Sequence, residues 1–242
     1  MKKLMLTFVV VVFVFGVATS QRNTIPLIGS QAPSFTAQST NGKITFPDSF
    51  GKSWKILFSH PRDFTPVCSS ELLELAYLQS EFESLGVKLA VISTDNLSQH
   101  QMWKAHLEEL DYKGRGSQNI EFPLFEDEKA HASKKYGMVH PKASTTENVR
   151  GVFIIDSDNI VRSINFYPMV VGRNMHEIVR IVEALQTSDS QQVLMPANWN
   201  EGDDVMVSYY PYTKDELAAN PALEDDYYSV GNRMWFKKVD GK

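Results

Sequence analysis

Apolar residues along this chain recur with different periods, and the period predicts the element. Lys55-Ile56-Leu57-Phe58-Ser59-His60 is a compact, mostly apolar run closed by Pro61, which predicts a buried strand ending in a loop. Over residues 65–85, Leu72, Leu73, Ala76, Leu78, Phe82 and Leu85 recur mostly every three or four positions. That is helical spacing, and Gly86 ends it. Residues 87–93 read as a second buried strand and 96–110 as a second helix. Residues 44–46 and 123–125 predict short strands, and 129–136 a short helix ended by Gly137. Residues 151–155 and 160–166 are strands joined by Asp156-Ser157-Asp158-Asn159, so they should pair as an antiparallel hairpin. Residues 174–185 form a further helix, amphipathic through Ile178, Val179, Val182 and Leu185.

This order predicts an α/β domain in layers around a mixed sheet. The composition turns polar over residues 187–192, and a domain boundary is expected there, between 21–188 and 189–242. The second part is rich in Pro, Tyr and Asp, with strand-like pieces such as 205–210; at roughly fifty residues it is a poor independent core and should pack on the main domain or on a partner subunit. At the other end, Lys2 and Lys3 precede an apolar run to Ala18, broken only by Thr7 and Gly16. Roughly fifteen apolar residues suit a signal peptide and are short for a membrane span. Ala18-Thr19-Ser20 supplies the small residues of a cleavage site, so residues 1–20 are expected to be removed and the protein secreted.

The remaining composition narrows the chemistry. The net charge of −5 and the lack of a long basic block argue against a nucleic-acid partner. The histidines, His100, His106, His131, His140 and His176 among them, show no compact ligand spacing, so no metal is expected. No Gly-rich nucleotide loop occurs. The single cysteine, Cys68, rules out an intramolecular disulfide. In Thr65-Pro66-Val67-Cys68, Thr65 is a good N-cap and Pro66 suits the first helical position, which puts Cys68 in the first turn. Unpaired backbone N–H groups and the positive end of the helix dipole favour a thiolate there. Thr65 stands where a Cys-x-x-Cys motif would have its first cysteine, so the site can attack an electrophile but cannot close a local disulfide.

The spacing Pro61-x-x-x-Thr65-x-x-Cys68 resembles the active-site signature of peroxiredoxins, and the run from Leu57 to Cys68 resembles the 1-Cys, peroxiredoxin-6-like subgroup. Asn148-Val149-Arg150-Gly151-Val152-Phe153-Ile154, Tyr167-Pro168 with Gly172-Arg173-Asn174, and residues 196–203 resemble further blocks of that subgroup, in order. The resemblance implies a thioredoxin-like fold with a central mixed sheet flanked by helices, plus a small C-terminal peroxiredoxin domain. It implies that Cys68 is the peroxidatic cysteine. Thr65 would bind the peroxide, Arg150 would stabilise the thiolate and the charge growing on oxygen, and Pro61 would shield the site, with backbone N–H groups of Val67 and Cys68 completing an anion pocket. Glu71 either orients an arginine or is a solvated helix residue. Arg173 is a secondary support, and His60 either belongs to the site or packs at the strand end.

The implied cycle passes through a sulfenic acid and needs no cofactor. It needs hydroperoxides as substrates and, with no second cysteine, an external thiol such as glutathione or a thioredoxin-like protein. The subgroup also implies a homodimer. An alternative is a phospholipase, since some members are credited with that activity at a Gly-x-Ser-x-Gly-like site. Here Lys55 breaks that motif in Gly51-Lys52-Ser53-Trp54-Lys55, and Pro47 stands at the partner histidine position, although Asp158 matches the acid. A non-enzymatic extracellular ligand is a third reading. Asn96-Leu97-Ser98 is the only glycosylation sequon, and Asn96 is also a good helix N-cap.

Overall fold

The computed structural model describes residues 25–239; the leader expected over residues 1–20 lies outside them. A seven-stranded mixed sheet organises the main domain. Its strands are β1 (Phe35–Ser39), β2 (Gly42–Phe46), β3 (Trp54–Ser59), β4 (Val87–Ser93), β5 (Leu124–Glu126), β6 (Arg150–Ile155) and β7 (Val161–Tyr167), in the spatial order β2-β1-β5-β4-β3-β6-β7. Helices α1 (Pro66–Ser84), α2 (Leu97–Glu108), α3 (His131–Lys135) and α4 (Met175–Gln191) accompany it. β3 pairs parallel with β4 and antiparallel with β6, and β6 and β7 form the expected antiparallel hairpin.

The central strands read as unbroken apolar runs because both of their faces are buried. Ile56, Phe58, Val91, Val152 and Ile154 face a core shared with α1, α2 and α4. Leu57, Ala90, Ile92, Phe153 and Ile155 face a second core with Phe35, Phe46 and Tyr136. Helix α1 follows Thr65, which is extended (φ −105°, ψ 147°), and has Pro66 at its first position. It ends at Gly86, whose φ of +68° suits the left-handed turn.

Helix α4 is longer than its expected span and runs on to Gln191 through the polar stretch. Polar residues continue it because their partners lie nearby: Arg162 of β7 makes a two-pronged bond to Asp189, at 2.6 and 2.7 Å. The chain then forms β8 (Val205–Val207), a short helix α5 (Lys214–Ala219), β9 (Tyr227–Val230) and β10 (Met234–Lys237), in a separate antiparallel sheet ordered β8-β10-β9. Val193, Trp199 and Val205 pack with Ala184 of α4 and anchor this part. No residue from 206 to 239 is buried.

Candidate active site

The site lies where β3 ends and α1 begins. Cys68 is in the first turn of α1 and is fully buried. The N–H groups of Val67 and Cys68 have no carbonyl four residues earlier within the helix, as in any first turn. They and the helix dipole favour an anion at this position. Thr65 takes the N-cap position but does not cap with its side chain. Its Oγ1 instead donates to the Arg62 carbonyl at 2.9 Å, because the loop 62–65 curls back under it. The expected cap bond is thus corrected, and the hydroxyl's lone pairs are left to accept.

Arg150 opens β6 and reaches across the sheet edge to the cysteine. Its Nη1 donates to Cys68 Sγ at 3.2 Å and to Glu71 Oε2 at 2.8 Å. Its Nε and Nη2 both donate to the Met169 carbonyl, at 3.1 and 2.6 Å, so the guanidinium is gripped on two sides. Glu71 sits one turn beyond Cys68 on α1 and is only 2% exposed, which excludes a solvated role. It also binds Arg173, through the backbone N at 2.8 Å, Nε at 2.9 Å and Nη2 at 2.7 Å. Arg173 Nη1 donates to the carbonyls of Ser59 and Gly151, which ties the network to the ends of β3 and β6. Burial pushes the Glu71 carboxyl up, but the charge and hydrogen bonds of Arg173, then the charge of Arg150, outweigh it and hold the carboxyl below its ordinary value. With Cys68 ionised, two guanidinium cations face one carboxylate and one thiolate, and the buried cluster is neutral.

Close approach of β3 and β6 sets this geometry. Ser59 Oγ donates to the Val149 carbonyl at 2.7 Å and accepts from Gly151 N at 2.8 Å. A Cβ on Gly151 would meet Ser59 Oγ at 2.9 Å and the Phe166 ring at 3.0 Å, so only glycine fits beside Arg150. Pro61, Thr65 and Val67 on one side, and Glu147, Arg150 and Met169 on the other, line a cleft of about 390 Å³.

His60 is fully buried in a chain that sequence spacing did not reveal. Its Nε2 meets Asp63 Oδ1, and His100 Nδ1 meets Asp63 Oδ2, both at 2.8 Å. His100 Nε2 contacts the Phe125 carbonyl at 3.1 Å. Burial pushes Asp63 up, but the hydrogen bonds from His100 and His60 prevail and lower it to about 2. Asp63 N also donates to Asp95 Oδ2 at 2.9 Å, which pins the loop before Thr65 to the end of β4. The atoms of His60, Asp63 and His100 lie within 4.8 Å of one another, a set of types that can ligate a cation. Here those atoms are engaged with each other. Asp63 lies inside the motif already singled out, but its partner His100 is distant in sequence and carried no signal.

The other sequence candidates lie elsewhere. Asn96 caps α2, its side chain accepting from Gln99 N at 2.9 Å. At the phospholipase-like stretch, Asp158 pairs with Lys52 at 2.8 Å, and buried Lys55 donates to the Asp156 carbonyl at 3.2 Å and to Asn159 Oδ1 at 2.5 Å. Asp158 thus faces a lysine rather than a histidine, and this arrangement favours no hydrolase. Among the described residues, no helix is long and apolar enough to cross a membrane.

The chain is similar to known proteins over most of its length. Residues 28–164 match the AhpC/TSA family, and residues 184–217 match the C-terminal domain of 1-Cys peroxiredoxin. A peroxiredoxin of Methanosarcina mazei is 51% identical over 184 residues, covering 76% of this chain and 84% of that protein. Peroxiredoxin 2 of Caldanaerobacter subterraneus subsp. tengcongensis is 43% identical over 218 residues, covering 90% of this chain and 96% of that protein. Among solved structures, peroxiredoxin 6 of Arenicola marina superposes with a TM-score of 0.76 at 34% identity, covering 89% of this chain and 99% of that one. A yeast mitochondrial 1-Cys peroxiredoxin, whose thiol is resolved via glutathione/thioredoxin systems, gives 0.76 at 35% identity, over 89% of this chain and 100% of that one. The fold is thioredoxin-like α/β.

Proposed function

The chain belongs to the AhpC/TSA family of peroxiredoxins and is a thiol peroxidase; on that premise we propose that it reduces hydrogen peroxide and organic hydroperoxides, phospholipid hydroperoxides among them, at Cys68 alone. The observation that carries the reading is Arg150 Nη1, shared between Cys68 Sγ at 3.2 Å and Glu71 at 2.8 Å. The Cys68 thiolate attacks the outer peroxide oxygen. The S–O bond forms as the O–O bond breaks, leaving a sulfenic acid and a hydroxide or alkoxide that takes up a proton. Arg150 and the first-turn N–H groups hold the charge that moves from sulfur to the leaving oxygen. Thr65 Oγ1, already donating to Arg62, accepts a hydrogen bond from the peroxide O–H.

An external thiol then attacks the sulfenic acid, releasing water, and a second thiol frees Cys68 as a disulfide of the donor leaves. The single cysteine supports this, and glutathione or a thioredoxin-like protein is the donor class. The C-terminal sheet supports a homodimer: Tyr209, Tyr228, Val230 and Met234, on it or beside it, are exposed apolar side chains of the kind that interfaces cover. The leader expected from the apolar run to Ala18 supports secretion. Peroxide consumption should vanish in Cys68→Ser and, in the wild type, depend on the thiol supplied. Consumption that persisted in Cys68→Ser would overturn the reading.

A further inference from the structure

The mouth of the cleft carries a charge pair that the chemistry at Cys68 does not use. Arg62 Nη2 and Glu147 Oε1 form an ion pair, and both residues line the cleft. They belong to different segments: Arg62 to the loop before α1, Glu147 to the approach to β6. Each end is anchored through its backbone. The Arg62 carbonyl accepts from Thr65 Oγ1 at 2.9 Å, and Glu147 N donates to Ser144 Oγ at 3.0 Å. The two side chains are unequal. Arg62 is 62% exposed and Glu147 only 19%, so the guanidinium faces solvent and the carboxylate lies deeper. Beside them the rim is apolar: Met169 and Pro66 line the cleft, and Val170, also lining it, is 82% exposed.

We propose that the Arg62–Glu147 pair is the charge selector of this cleft: Arg62 exchanges Glu147 for the carboxylate of an acidic organic hydroperoxide whose chain lies along the Val170 rim. The inference rests on reading the cleft as the peroxide entrance. Cys68 has no exposed surface of its own, so a peroxide reaches it only past the lining residues. Neutral hydrogen peroxide needs no charge partner at the mouth. An acidic peroxide finds in Arg62 a cation and in Glu147 both a competitor for that cation and a like charge. Arg62 is mostly in solvent, which weakens its hold on Glu147, so its guanidinium turns to another carboxylate at little cost. Glu147 therefore sets the discrimination between acids and neutral peroxides, and Arg62 supplies the attraction.

The test uses linoleic acid hydroperoxide and its methyl ester, at sub-micellar concentration, with full-length wild type, Glu147→Gln and Arg62→Gln. Rate constants for Cys68 oxidation are read by stopped-flow tryptophan fluorescence, and the acid-to-ester ratio is formed within each protein, so loss of active material cancels. Glu147→Gln should raise the ratio about threefold to fivefold, the size expected for freeing a surface cation. Arg62→Gln should lower it below the wild-type value, and salt should erase the gain in Glu147→Gln. A ratio unchanged in Glu147→Gln, or raised equally in both variants, overturns the selector. Hydrogen peroxide serves as the separate arm: failure of the wild type to react with it strikes the peroxidase reading, whereas a normal rate with unmoved ratios strikes the selector alone.

Discussion

Replacing Glu71 by glutamine isolates what the buried carboxylate does for Cys68. The side chain keeps its shape, but one of its two oxygens becomes an amide NH2. In the native site Oε1 accepts from Arg173 N and Nε, and Oε2 from Arg150 Nη1 and Arg173 Nη2, all between 2.7 and 2.9 Å. Either amide orientation sets donors against donors on one side and leaves two guanidinium groups short of a counter-charge. Breaking a buried ion pair in this way costs about 3–5 kcal/mol. With a urea slope of roughly 2–3 kcal/mol/M for a chain of this size, the unfolding midpoint should fall by about 1–2.5 M. Arg150 also loses the bond that aims Nη1, and a misplacement of about 1 Å should slow Cys68 oxidation about 100-fold. The stability gap has a definite pH dependence. The folded Glu71 carboxyl lies below its ordinary 4.5, so its contribution is complete above that pH and is lost as pH falls through the folded value. The midpoints of wild type and Glu71→Gln should therefore converge in acid. Urea titrations at neutral and acid pH, with stopped-flow rates on folded protein, check this. A gap that widens in acid, or a folded variant that reacts at the wild-type rate, would refute the reasoning.

Arg150→Lys keeps the charge but loses the fork that holds Sγ, Glu71 and the Met169 carbonyl together; the peroxide rate constant should fall about 100- to 1000-fold, measured by stopped flow. Thr65→Val should lose about 1 kcal/mol in urea unfolding and at least tenfold in peroxide rate, while Thr65→Ser retains both. Asp63, ordinarily at 3.8 and lowered to about 2, contributes about 2 kcal/mol that is present above pH 3.8 and lost as pH falls toward 2, so the stability advantage of the wild type over Asp63→Asn should shrink across that window, read from acid titration of near-UV circular dichroism.

The sequence carried the scaffold and the cysteine because their signals are local. Residues 87–93 form a strand because Val, Leu and Ile fill two buried faces, and Pro66 starts α1 by its fixed φ. Helix α4 outran its expected end because Thr187, Ser188, Asp189 and Ser190 are polar, and composition does not show that Asp189 meets Arg162 across the fold. Strand β1 escaped for a similar reason: Phe35–Ser39 alternates only weakly, and pairing with β2 makes it a strand. At the site, Cys68, Thr65 and Arg150 were legible as types in a pattern. Thr65's bond to Arg62 was not, since one hydroxyl serves a cap or a loop with equal ease. Nor was the choice for Glu71, because burial decides it, and its partners are Arg150 at the start of β6 and Arg173 just before α4. The His60–Asp63–His100 chain joins residues that only folding brings together.

In the proposed reaction Cys68 Sγ, held by Arg150, takes the peroxide oxygen. Reduced protein treated with one equivalent of hydrogen peroxide and a sulfenic-acid trap, then digested, tests it most directly. The peptide containing Cys68 should carry the trap in the wild type, and the adduct should form far more slowly in Arg150→Lys. Peroxide consumed at the wild-type rate while Cys68 remains an unmodified thiol would contradict it.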